Sequence, residues 1–537
     1  MTFGSTTPSQ PSPRRGITRR AVLRGGAAAV GLFMLDTTFG QGLGRAAAAV
    51  KSGPGTTVMP YFLPAREGVD ITALLTVRDK PADNGYRLVG IPDGLGLIPG
   101  ADRFTLLMNH ELAGGSVGAV RKHGSKGAFV SKWTIERSSL KVIAGEDLIV
   151  SGEKVYMWDS AAKRYSTGTT AFNRFCSADL AEPAAFLNGS KGTTARLFLN
   201  GEESDSGRAW AHVVTGPNAG ESWELPRMGR GPWENLVASP HSKDKTIVVG
   251  LDDGNLNTAG VAANSPCQLF IYVGTKQETG TDIERAGLTN GKIYGVRLPK
   301  AGGYITEESN DFGLGDAASG YVASARFEIV ELGTNGDVAG MPQLDIEKDA
   351  IAKSVLRMMR IEDGAWDPRV ANKGNFYFVT TANIVQNSRL WQLKFDDLDA
   401  PEKGGALTAL LRGSEGHRML DNLCIDAQGR VLLQEDPGNH PRLSQVWLYG
   451  IDTKRFVSVA YANPVFFDLD LQDLAIGGTK YFQTADEESS GIIDASSVLG
   501  DGWFLAVVQS HRNIAAAEPE LVEDGQLLAL YVNPAIK

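Results

Sequence analysis

The chain contains 537 residues, with 62 acidic and 53 lysine or arginine side chains and a formal net charge of -9. This acidic balance, without a basic stripe, argues against a nucleic-acid backbone as a partner, because such partners are bound through clustered positive charge. With 42% hydrophobic residues, the composition is typical of globular proteins, and the length suits one large domain or two to three of average size.

The first 49 residues have the composition of an export signal. Residues 14–24 contain five arginines and no acidic residue, residues 27–35 are an apolar run, and residues 46–49 are four alanines. A basic segment, a short apolar segment and small residues, in this order, are typical of a cleaved signal peptide. Arg19 and Arg20 lie directly before apolar residues, which resembles the motif of the twin-arginine pathway, a route that exports folded proteins.

We therefore predict that residues 1–49 are a twin-arginine signal peptide, with the twin-arginine translocase as a partner during export. An ordinary secretory signal is the alternative. The mature chain is expected in the periplasm, at the cell surface or secreted. It has no apolar stretch long enough for a membrane span.

Short strands separated by turn-forming residues are predicted along the rest of the chain. They are rich in β-branched or aromatic residues and are bounded by Gly, Asn or Asp. Examples are residues 104–108, 196–199, 246–249, 375–380, 430–433 and 503–508. Helical periodicity is weak, and residues 346–359 are the best helix candidate. The sequence therefore predicts an all-β fold.

A degenerate repeat indicates how these strands are arranged. Four segments share the pattern of a strand, a polar connection and a second strand that opens with a polar residue. The pairs are residues 246–249 and 268–273, 376–380 and 389–393, 431–433 and 445–449, and 504–508 and 526–531. Repeated antiparallel pairs are typical of stacked blades, so we predict a single β-propeller with long irregular loops over residues 50–537. A pair of β-sandwiches is the alternative.

Acidic and amide side chains follow several of the predicted strands. The chain reads Asn109-His110-Glu111 after one strand, Asn200-Gly201-Glu202-Glu203 after another, and later Asp252-Asp253 and Glu435-Asp436. In a propeller such strand ends converge around one axis, where like charges repel unless their pKa values rise or cations bind. Oxygen-rich clusters suit hard cations, with calcium the best match and magnesium or ferric iron the alternatives. The simpler interpretation is that these residues lie on solvated loops.

Several motifs occur in the same order as in the PhoX-type alkaline phosphatases. They are the twin-arginine leader, Asn109-His110-Glu111, Cys176, Arg360-Ile361-Glu362 with Gly364-Ala365-Trp366-Asp367-Pro368, and Leu420-Asp421-Asn422-Leu423. By these motifs the chain resembles that family over most of its mature length. The resemblance implies an exported six-bladed propeller whose phosphomonoesterase site holds calcium together with iron, the iron being bound partly by a cysteine thiolate.

The resemblance also implies roles for individual residues. Arg360 would bind the phosphate and Glu362 would bridge metal ions, and these two are the candidate catalytic residues. The implied metal-binding residues are Asn109, Glu111, Cys176, Glu203, Asp252, Asp253, Glu362 and Asp421. The first two of these would contact the metals directly or through another ligand. Cys176 would bind iron, and Arg174 nearby is expected to favour the thiolate.

Two departures from the family pattern concern the metals. Cys176 is followed by Ser177-Ala178-Asp179-Leu180, where the family has a glycine-rich stretch. Ile361 replaces the usual proline between the arginine and the glutamate. These changes bear on iron at Cys176 more than on calcium.

The residue types suit phosphate ester hydrolysis. Metal ions polarise phosphoryl oxygens and activate bound water without a nucleophilic serine, and guanidinium groups bind phosphate through two parallel hydrogen bonds. We expect an exported phosphatase that hydrolyses small phosphate monoesters with calcium, or with calcium and ferric iron. The alternatives are a calcium-dependent propeller lactonase or esterase, and a non-catalytic propeller stabilised by calcium. His110 is a candidate acid or base, although a structural role is the more ordinary interpretation.

Overall fold

Antiparallel sheets form most of the regular structure in the computed structural model, which describes residues 50–254, 267–308, 324–471 and 484–537. The backbone of the short strands Ala475–Ile476 and Thr479–Lys480 is described as well. The predicted signal peptide lies outside the described residues. Within the described part of the chain, no helix is long and apolar enough to cross a membrane. The fold is all-β, as the sequence predicts.

The strands form six sets, which we number as sheets 1 to 6 in chain order. In each sheet, one edge strand contacts the edge strands of two other sheets. We call these edge strands the inner strands. They are Pro92–Ile98, Phe175–Leu180, Trp233–Ala238, Ile361–Trp366, Leu420–Ile425 and Glu488–Asp494. Each inner strand contacts the next in this order, and the sixth contacts the first. The arrangement is therefore propeller-like.

Sheets 1 and 2 continue outward from their inner strands. In sheet 1 the further strands are Arg103–His110, Phe129–Glu136 and Val142–Asp147. In sheet 2 they are Leu197–Glu202, Ala209–Val213, Ser222–Glu224, Val155–Asp159 and Arg164–Thr167. Because Val155–Asp159 pairs in parallel with Ser222–Glu224, the segment that links the two sheets supplies the outer edge of sheet 2.

Sheets 3 and 4 are the two halves of one eleven-stranded sheet. Sheet 3 continues with Lys245–Asp252, Cys267–Thr275 and Lys292–Lys300, and sheet 4 with Asn375–Thr380, Arg389–Phe395 and Gly405–Leu411. Ser324–Glu331 joins the halves, because it pairs with Lys292–Lys300 on one side and with Gly405–Leu411 on the other. Gly303–Ile305 and Arg357–Met358 are short additional strands.

The two ends of the described chain complete sheets 5 and 6. Sheet 5 continues with Arg430–Glu435, Gln445–Gly450, Phe456–Ala462 and Phe62–Pro64. Sheet 6 continues with Trp503–Asn513, Glu523–Val532, Val69–Thr76 and Val50–Ser52. The antiparallel pairing of Val69–Thr76 with Glu523–Val532 attaches the beginning of the described chain to its end.

Helices in the described residues are short connections between strands. The α-helices are Pro183–Phe186, Asp282–Arg285, Gln343–Ala352, Pro464–Phe467 and Ser496–Leu499. The 3-10 turns are Gly152–Lys154, Pro226–Met228, Val370–Asn372, Pro401–Lys403 and Leu469–Leu471, and Leu187–Asn188 pairs with Lys191–Gly192. The helix predicted over residues 346–359 is correct only in part. The observed helix ends at Ala352, because Ser354 adopts a left-handed φ of 60°, and Arg357–Met358 is a strand.

The four strand pairs predicted from the repeat are all antiparallel neighbours. Apolar side chains of the strands are buried between successive sheets. Between sheets 1 and 2, for example, Leu107 and Val130 belong to one cluster with Phe175, Phe198 and Trp210. Burying a large apolar side chain contributes about 1.5–3 kcal/mol, so this packing fixes the inner strands relative to one another.

Candidate metal centre

The inner strands carry potential metal ligands at a shared position. In five of the six strands the second residue has a carboxyl or thiol side chain, which are common metal ligands, and Ser489 has that position in the sixth. The five are Asp93, Cys176, Glu234, Glu362 and Asp421, and all are buried. Each lies where its strand departs from regular pairing with the neighbouring strand. Bulges of this kind change the direction of side chains at a sheet edge, and here they accompany residues that converge.

These residues and two from neighbouring strands form three overlapping groups, in each of which the ligand atoms all lie within 4.8 Å of one another. The groups are Asp93, Glu111 and Cys176; Cys176, Glu203 and Glu234; and Glu234, Glu362 and Asp421. Cys176 belongs to the first two groups and Glu234 to the last two, so the groups are continuous. A continuous set of six carboxyl groups and one thiol is a candidate site for more than one cation.

Glu111 and Glu203 directly follow Arg103–His110 and Leu197–Glu202, the strands that pair with the inner strands of sheets 1 and 2. These strands run antiparallel to the inner strands, so their C-terminal ends lie beside the N-terminal ends of the inner strands. In sheet 2, for example, Phe175 pairs with Glu202, the residue before Glu203. The acidic strand ends therefore meet the second residues of the inner strands in one place.

Burial gives the carboxyl groups of the third group a strong tendency to hold protons. It raises the pKa values of Glu234, Glu362 and Asp421 well above their ordinary range, and neighbouring carboxylates raise them further. One carboxyl oxygen of each is buried without a hydrogen-bond partner among the described residues. Glu362 Oε1 lies 2.8 Å from Arg360 Nη2, but not in hydrogen-bond geometry. Three buried oxygens of this kind in one group fit a hard cation such as calcium.

Two arginines border the centre, each directly before an inner strand. Arg174 Nη2 lies 2.6 Å from Glu111 Oε1 and 2.5 Å from Glu203 Oε2. Arg360 Nη2 lies 2.6 Å from Asp253 Oδ2. Both arginines have a left-handed φ, of 42° and 60°, which is uncommon for residues other than glycine. Their side chains remain 45% and 31% exposed, so both arginines are partly open to solvent.

Cys176 supplies the thiol of the first two groups. Its Sγ donates a 3.2 Å hydrogen bond to Asp93 Oδ2. Burial, followed by the negative charges of Asp93 and Glu234, raises the pKa of this thiol well above its ordinary value. Arg174 pairs with Glu111 and Glu203, so burial and the surrounding carboxylates oppose the expected effect of Arg174 on the thiolate. A cation in these groups would supply the positive charge that a thiolate requires.

The other two cysteines are packed in apolar surroundings. All three cysteines of the chain are free and buried. Cys267 and Cys424 belong to hydrophobic clusters between neighbouring sheets, where they are small core residues.

Asn109 supports the strand that carries Cys176. Its Nδ2 donates hydrogen bonds to the carbonyl oxygens of Cys176, at 2.8 Å, and of Ser177, at 3.2 Å. Its Oδ1 accepts a 2.9 Å hydrogen bond from Asn200 Nδ2, and Asn200 Oδ1 contacts the buried His212. Both polar atoms of the Asn109 amide are thus used within the protein, so Asn109 acts on the centre through the backbone of Cys176.

Asp252 and Asp253 differ in their relation to the centre. Neither belongs to the three groups. Asp252 is buried and accepts a 3.0 Å hydrogen bond from the backbone N–H of Gly254, which stabilises the turn after its strand. Asp253 pairs with Arg360 and so borders the centre. The structure therefore brings only the second residue of this acidic pair to the site.

His110 is buried on the side of its strand away from the three groups' ligands. Its Nε2 lies 2.8 Å from Ser131 Oγ, and its ring stacks on Phe129 with 4.2 Å between the ring centroids. Burial lowers the pKa of His110 to about 3, so the imidazole is neutral near pH 7. These contacts favour the structural interpretation of His110.

Asp93 and Glu234 are candidate ligands that the sequence patterns did not identify. They occur in Pro92-Asp93-Gly94 and Trp233-Glu234-Asn235, where polar residues and glycine interrupt the apolar pattern used to find strands. A positional signal does exist. Each lies one hairpin before an acidic strand end, Asp93 before Glu111 and Glu234 before Asp253. An acidic residue one hairpin before an acidic strand end would therefore have indicated an inner strand.

Comparisons with known proteins support the fold. No protein-family model matches the sequence, and no curated protein matches it. Among solved structures, the chain is similar to PhoX of Pseudomonas fluorescens in complex with vanadate, a transition state analogue. The two are 13% identical, the match covers 89% of this chain and 98% of that chain, and the TM-score is 0.56.

Two further solved structures match with lower scores. A luciferin-regenerating enzyme is 9% identical, with 83% of this chain and 92% of that chain covered and a TM-score of 0.32. An aldose sugar dehydrogenase from Streptomyces coelicolor is 12% identical, with 87% and 99% covered and a TM-score of 0.31. These scores are too low to inform the site. At 13% identity, the likeness to PhoX shows a shared propeller-like fold.

Proposed function

We propose that the chain is an exported, metal-dependent phosphatase that hydrolyses small phosphate monoesters. The observation that carries this proposal is the continuous set of three metal-capable groups bordered by two partly exposed arginines. Cations and guanidinium groups together are the combination that phosphoryl transfer requires, because negative charge spreads over the phosphoryl oxygens in the transition state. The similar PhoX structure holds vanadate, a transition state analogue, which agrees with this proposal.

The ligand types support calcium, with ferric iron as a second metal. Glu234, Glu362 and Asp421 offer only oxygen atoms, which calcium prefers. The groups that contain Cys176 also offer a thiol, a ligand that iron accepts as a thiolate and that calcium does not favour. When bound, such ions polarise the phosphoryl group and lower the pKa of a coordinated water molecule. The residues that would hold them are the second residues of five inner strands together with Glu111 and Glu203.

The arginines are the proposed phosphate-binding groups. Arg174 and Arg360 keep part of their side chains exposed while they pair with carboxylates of the centre. A guanidinium group can donate two parallel hydrogen bonds to phosphate and still contact a carboxylate through its remaining N–H groups. Glu362 contacts Arg360 and belongs to the third group, so it links the phosphate-binding side chain to the cation.

A six-bladed propeller over residues 50–537 is part of the proposal. The closed order of six contacting inner strands supports six blades, with sheets 3 and 4 joined at their outer edges through Ser324–Glu331. Residues 1–49 would be the twin-arginine signal, recognised by its translocase. Folding before export would let the centre take up its metals in the cytoplasm. The mature enzyme would then act in the periplasm, at the cell surface or outside the cell.

The proposal can be tested with protein folded in the cytoplasm and lacking residues 1–49. We expect hydrolysis of p-nitrophenyl phosphate, loss of activity after exhaustive chelation, and recovery when Ca²⁺, or Ca²⁺ together with Fe³⁺, is returned. p-Nitrophenyl acetate and a γ-lactone serve as contrasting substrates, and bis-p-nitrophenyl phosphate tests for monoester preference. Metal-dependent turnover of the acetate or lactone without turnover of phosphate monoesters would favour the lactonase or esterase alternative. No turnover of any substrate by metal-loaded protein would favour the non-catalytic alternative.

A further inference from the structure

Asp363 lies directly after Glu362, and its carboxyl group contacts the inner strands on both sides. Its Oδ1 accepts a 2.6 Å hydrogen bond from Asn235 Nδ2 on the inner strand of sheet 3. Its Oδ2 accepts a 3.1 Å hydrogen bond from the backbone N–H of Leu423 on the inner strand of sheet 5. One carboxylate, only 6% exposed, therefore joins three neighbouring inner strands.

The three strands that Asp363 joins are those that carry the third metal-capable group. Glu234 directly precedes Asn235, Glu362 directly precedes Asp363, and Asp421 lies two residues before Leu423. The ligand atoms of this group lie within 4.8 Å of one another. Ionised carboxylates at this distance repel each other, most strongly where water is excluded. A hydrogen-bonded link between their strands opposes that repulsion.

The bonds to Asp363 use donors that regular sheet pairing leaves free. An inner strand has a sheet partner on one side only, so N–H groups on its other side need a different acceptor. Leu423 follows the bulge of its strand and donates across to Asp363. The backbone N–H of Gly364 donates to Asp363 Oδ1 at 2.7 Å as well. Bonds to a buried carboxylate are stronger than bonds between neutral groups, which suits a residue that fixes three strands.

We propose that Asp363 is a positioning residue that sets the spacing of Glu234, Glu362 and Asp421 for one cation. It does so through their strands, without contact to the cation. The inference rests on one part of the proposed function, namely that Glu234, Glu362 and Asp421 bind a cation. It does not depend on which substrate is hydrolysed.

The test compares two aspartates of the same segment. Asp363→Asn keeps the volume and an acceptor for Asn235, but its amide nitrogen cannot accept the hydrogen bond from Leu423. Asp367→Asn makes the same chemical change at a fully buried aspartate beyond the other end of the strand, where Arg369 donates to it. Both variants and the wild type are stripped of metal, their stability is measured in urea, and Ca²⁺ binding is measured by titration calorimetry.

We expect both variants to be less stable than the wild type, and only Asp363→Asn to bind Ca²⁺ about 10- to 100-fold more weakly, the usual effect of removing a group that orients metal ligands. Wild-type affinity in Asp363→Asn, or an equal loss in both variants, would overturn the inference. If Asp363→Asn does not fold, Asn235→Ala removes the other link and must weaken Ca²⁺ binding in the same way. A wild type that binds no Ca²⁺ also overturns it. Ca²⁺ binding without phosphatase activity would instead defeat the proposed function alone.

Discussion

Asn422 Nδ2 donates a 2.6 Å hydrogen bond to Ser177 Oγ, although the two residues lie on the inner strands of sheets 5 and 2, which are not consecutive in the ring. Ser177 Oγ in turn donates a 2.5 Å hydrogen bond to Glu234 Oε1. The pair therefore crosses the space that the inner strands enclose, next to the candidate metal centre. A cavity of about 610 Å³, lined in part by Asp179 and Cys424, lies toward the other ends of the same strands. Along both strands, Ser177 and Asn422 lie between the candidate ligands Cys176 and Asp421 and the cavity-lining residues.

Replacing Ser177 by alanine should therefore destabilise the metal-free protein. The change removes a donor from the buried Glu234 and an acceptor from Asn422. Buried polar groups left without partners cost about 1–3 kcal/mol. Urea unfolding after chelation measures the loss, and Ser166→Ala, on an exposed strand position, should stay within about 0.5 kcal/mol of the wild type. Equal stability of Ser177→Ala and wild type would contradict a structural role for this contact.

Removal of cations should lower the melting temperature of the whole protein. The three groups then hold several carboxyl groups at close quarters, with Arg174 and Arg360 beside them. Binding to the native state alone adds about 3 kcal/mol at a hundredfold excess over the dissociation constant. Scanning calorimetry should show the loss after chelation, recovery with Ca²⁺, and less recovery with Mg²⁺, which retains its water ligands more strongly. Unchanged melting after exhaustive chelation would contradict a bound cation that stabilises these groups.

The sequence was sufficient for the fold class and for the strands behind the inner strands. Lys245–Asp252 and its partner Cys267–Thr275 are buried on both faces, so they appear as continuous apolar runs. The inner strand Trp233–Ala238 escaped prediction because Glu234 and Asn235 give it the composition of a loop. Those polar residues are stable in a buried strand only because the other inner strands supply partners, and that information is not local.

The limits of local sequence information also explain why only part of the candidate site could be predicted. The acidic strand ends at Glu111 and Glu203 follow apolar strands, so their position was evident from local sequence. Which residue of the pair Asp252-Asp253 faces the centre depends on register, and a bulge shifts the register between Trp233 and its neighbours. A shift of one residue exchanges the two faces of a strand, and no sequence pattern located that bulge.

The stability of the protein should fall at acidic pH in part because of His110. Burial lowers its pKa to about 3 in the folded protein, whereas histidine in an unfolded chain titrates near pH 6.5. Between these values only the unfolded chain binds this proton. The free energy of unfolding should therefore decrease as the pH falls from about 6.5 towards 3, by at most about 1.4 kcal/mol per pH unit from this group.

Urea unfolding of His110→Gln at several pH values checks this expectation. The variant should lose part of the pH dependence of stability and keep the wild-type pH dependence of turnover, because His110 is not placed among the reacting groups. His241→Gln, at a half-buried histidine, is the matched control. A changed pH profile of turnover in His110→Gln would support the acid or base role instead.

Arg360→Lys should impair catalysis, although the substitution keeps the positive charge. Lysine keeps the positive charge but loses the planar fork that contacts Asp253 and that we propose binds phosphate. We expect kcat/KM for p-nitrophenyl phosphate to fall about 100-fold, as for other removed transition-state donors, together with weaker inhibition by inorganic phosphate. Arg326→Lys changes an exposed arginine paired with Asp396 and should leave both values unchanged. Wild-type inhibition by phosphate in Arg360→Lys would show that this arginine has only a structural role.

Cys176→Ala should remove iron, colour and most phosphatase activity, whereas Cys424→Ala should retain all three. Cys176 is the residue shared by the first two groups, so its loss affects both of them. Cys424 belongs to an apolar cluster and to none of the three groups, and its replacement removes one sulfur atom from the core. A thiolate bound to ferric iron absorbs visible light by charge transfer. The absorption spectrum, elemental analysis and turnover of p-nitrophenyl phosphate therefore report on the same bond.

Cys176→Ser should lose colour but keep Ca²⁺ binding, because the third group contains no sulfur and is left intact. A colourless, iron-free wild type with full activity would contradict iron at Cys176 and support a centre that works with calcium alone.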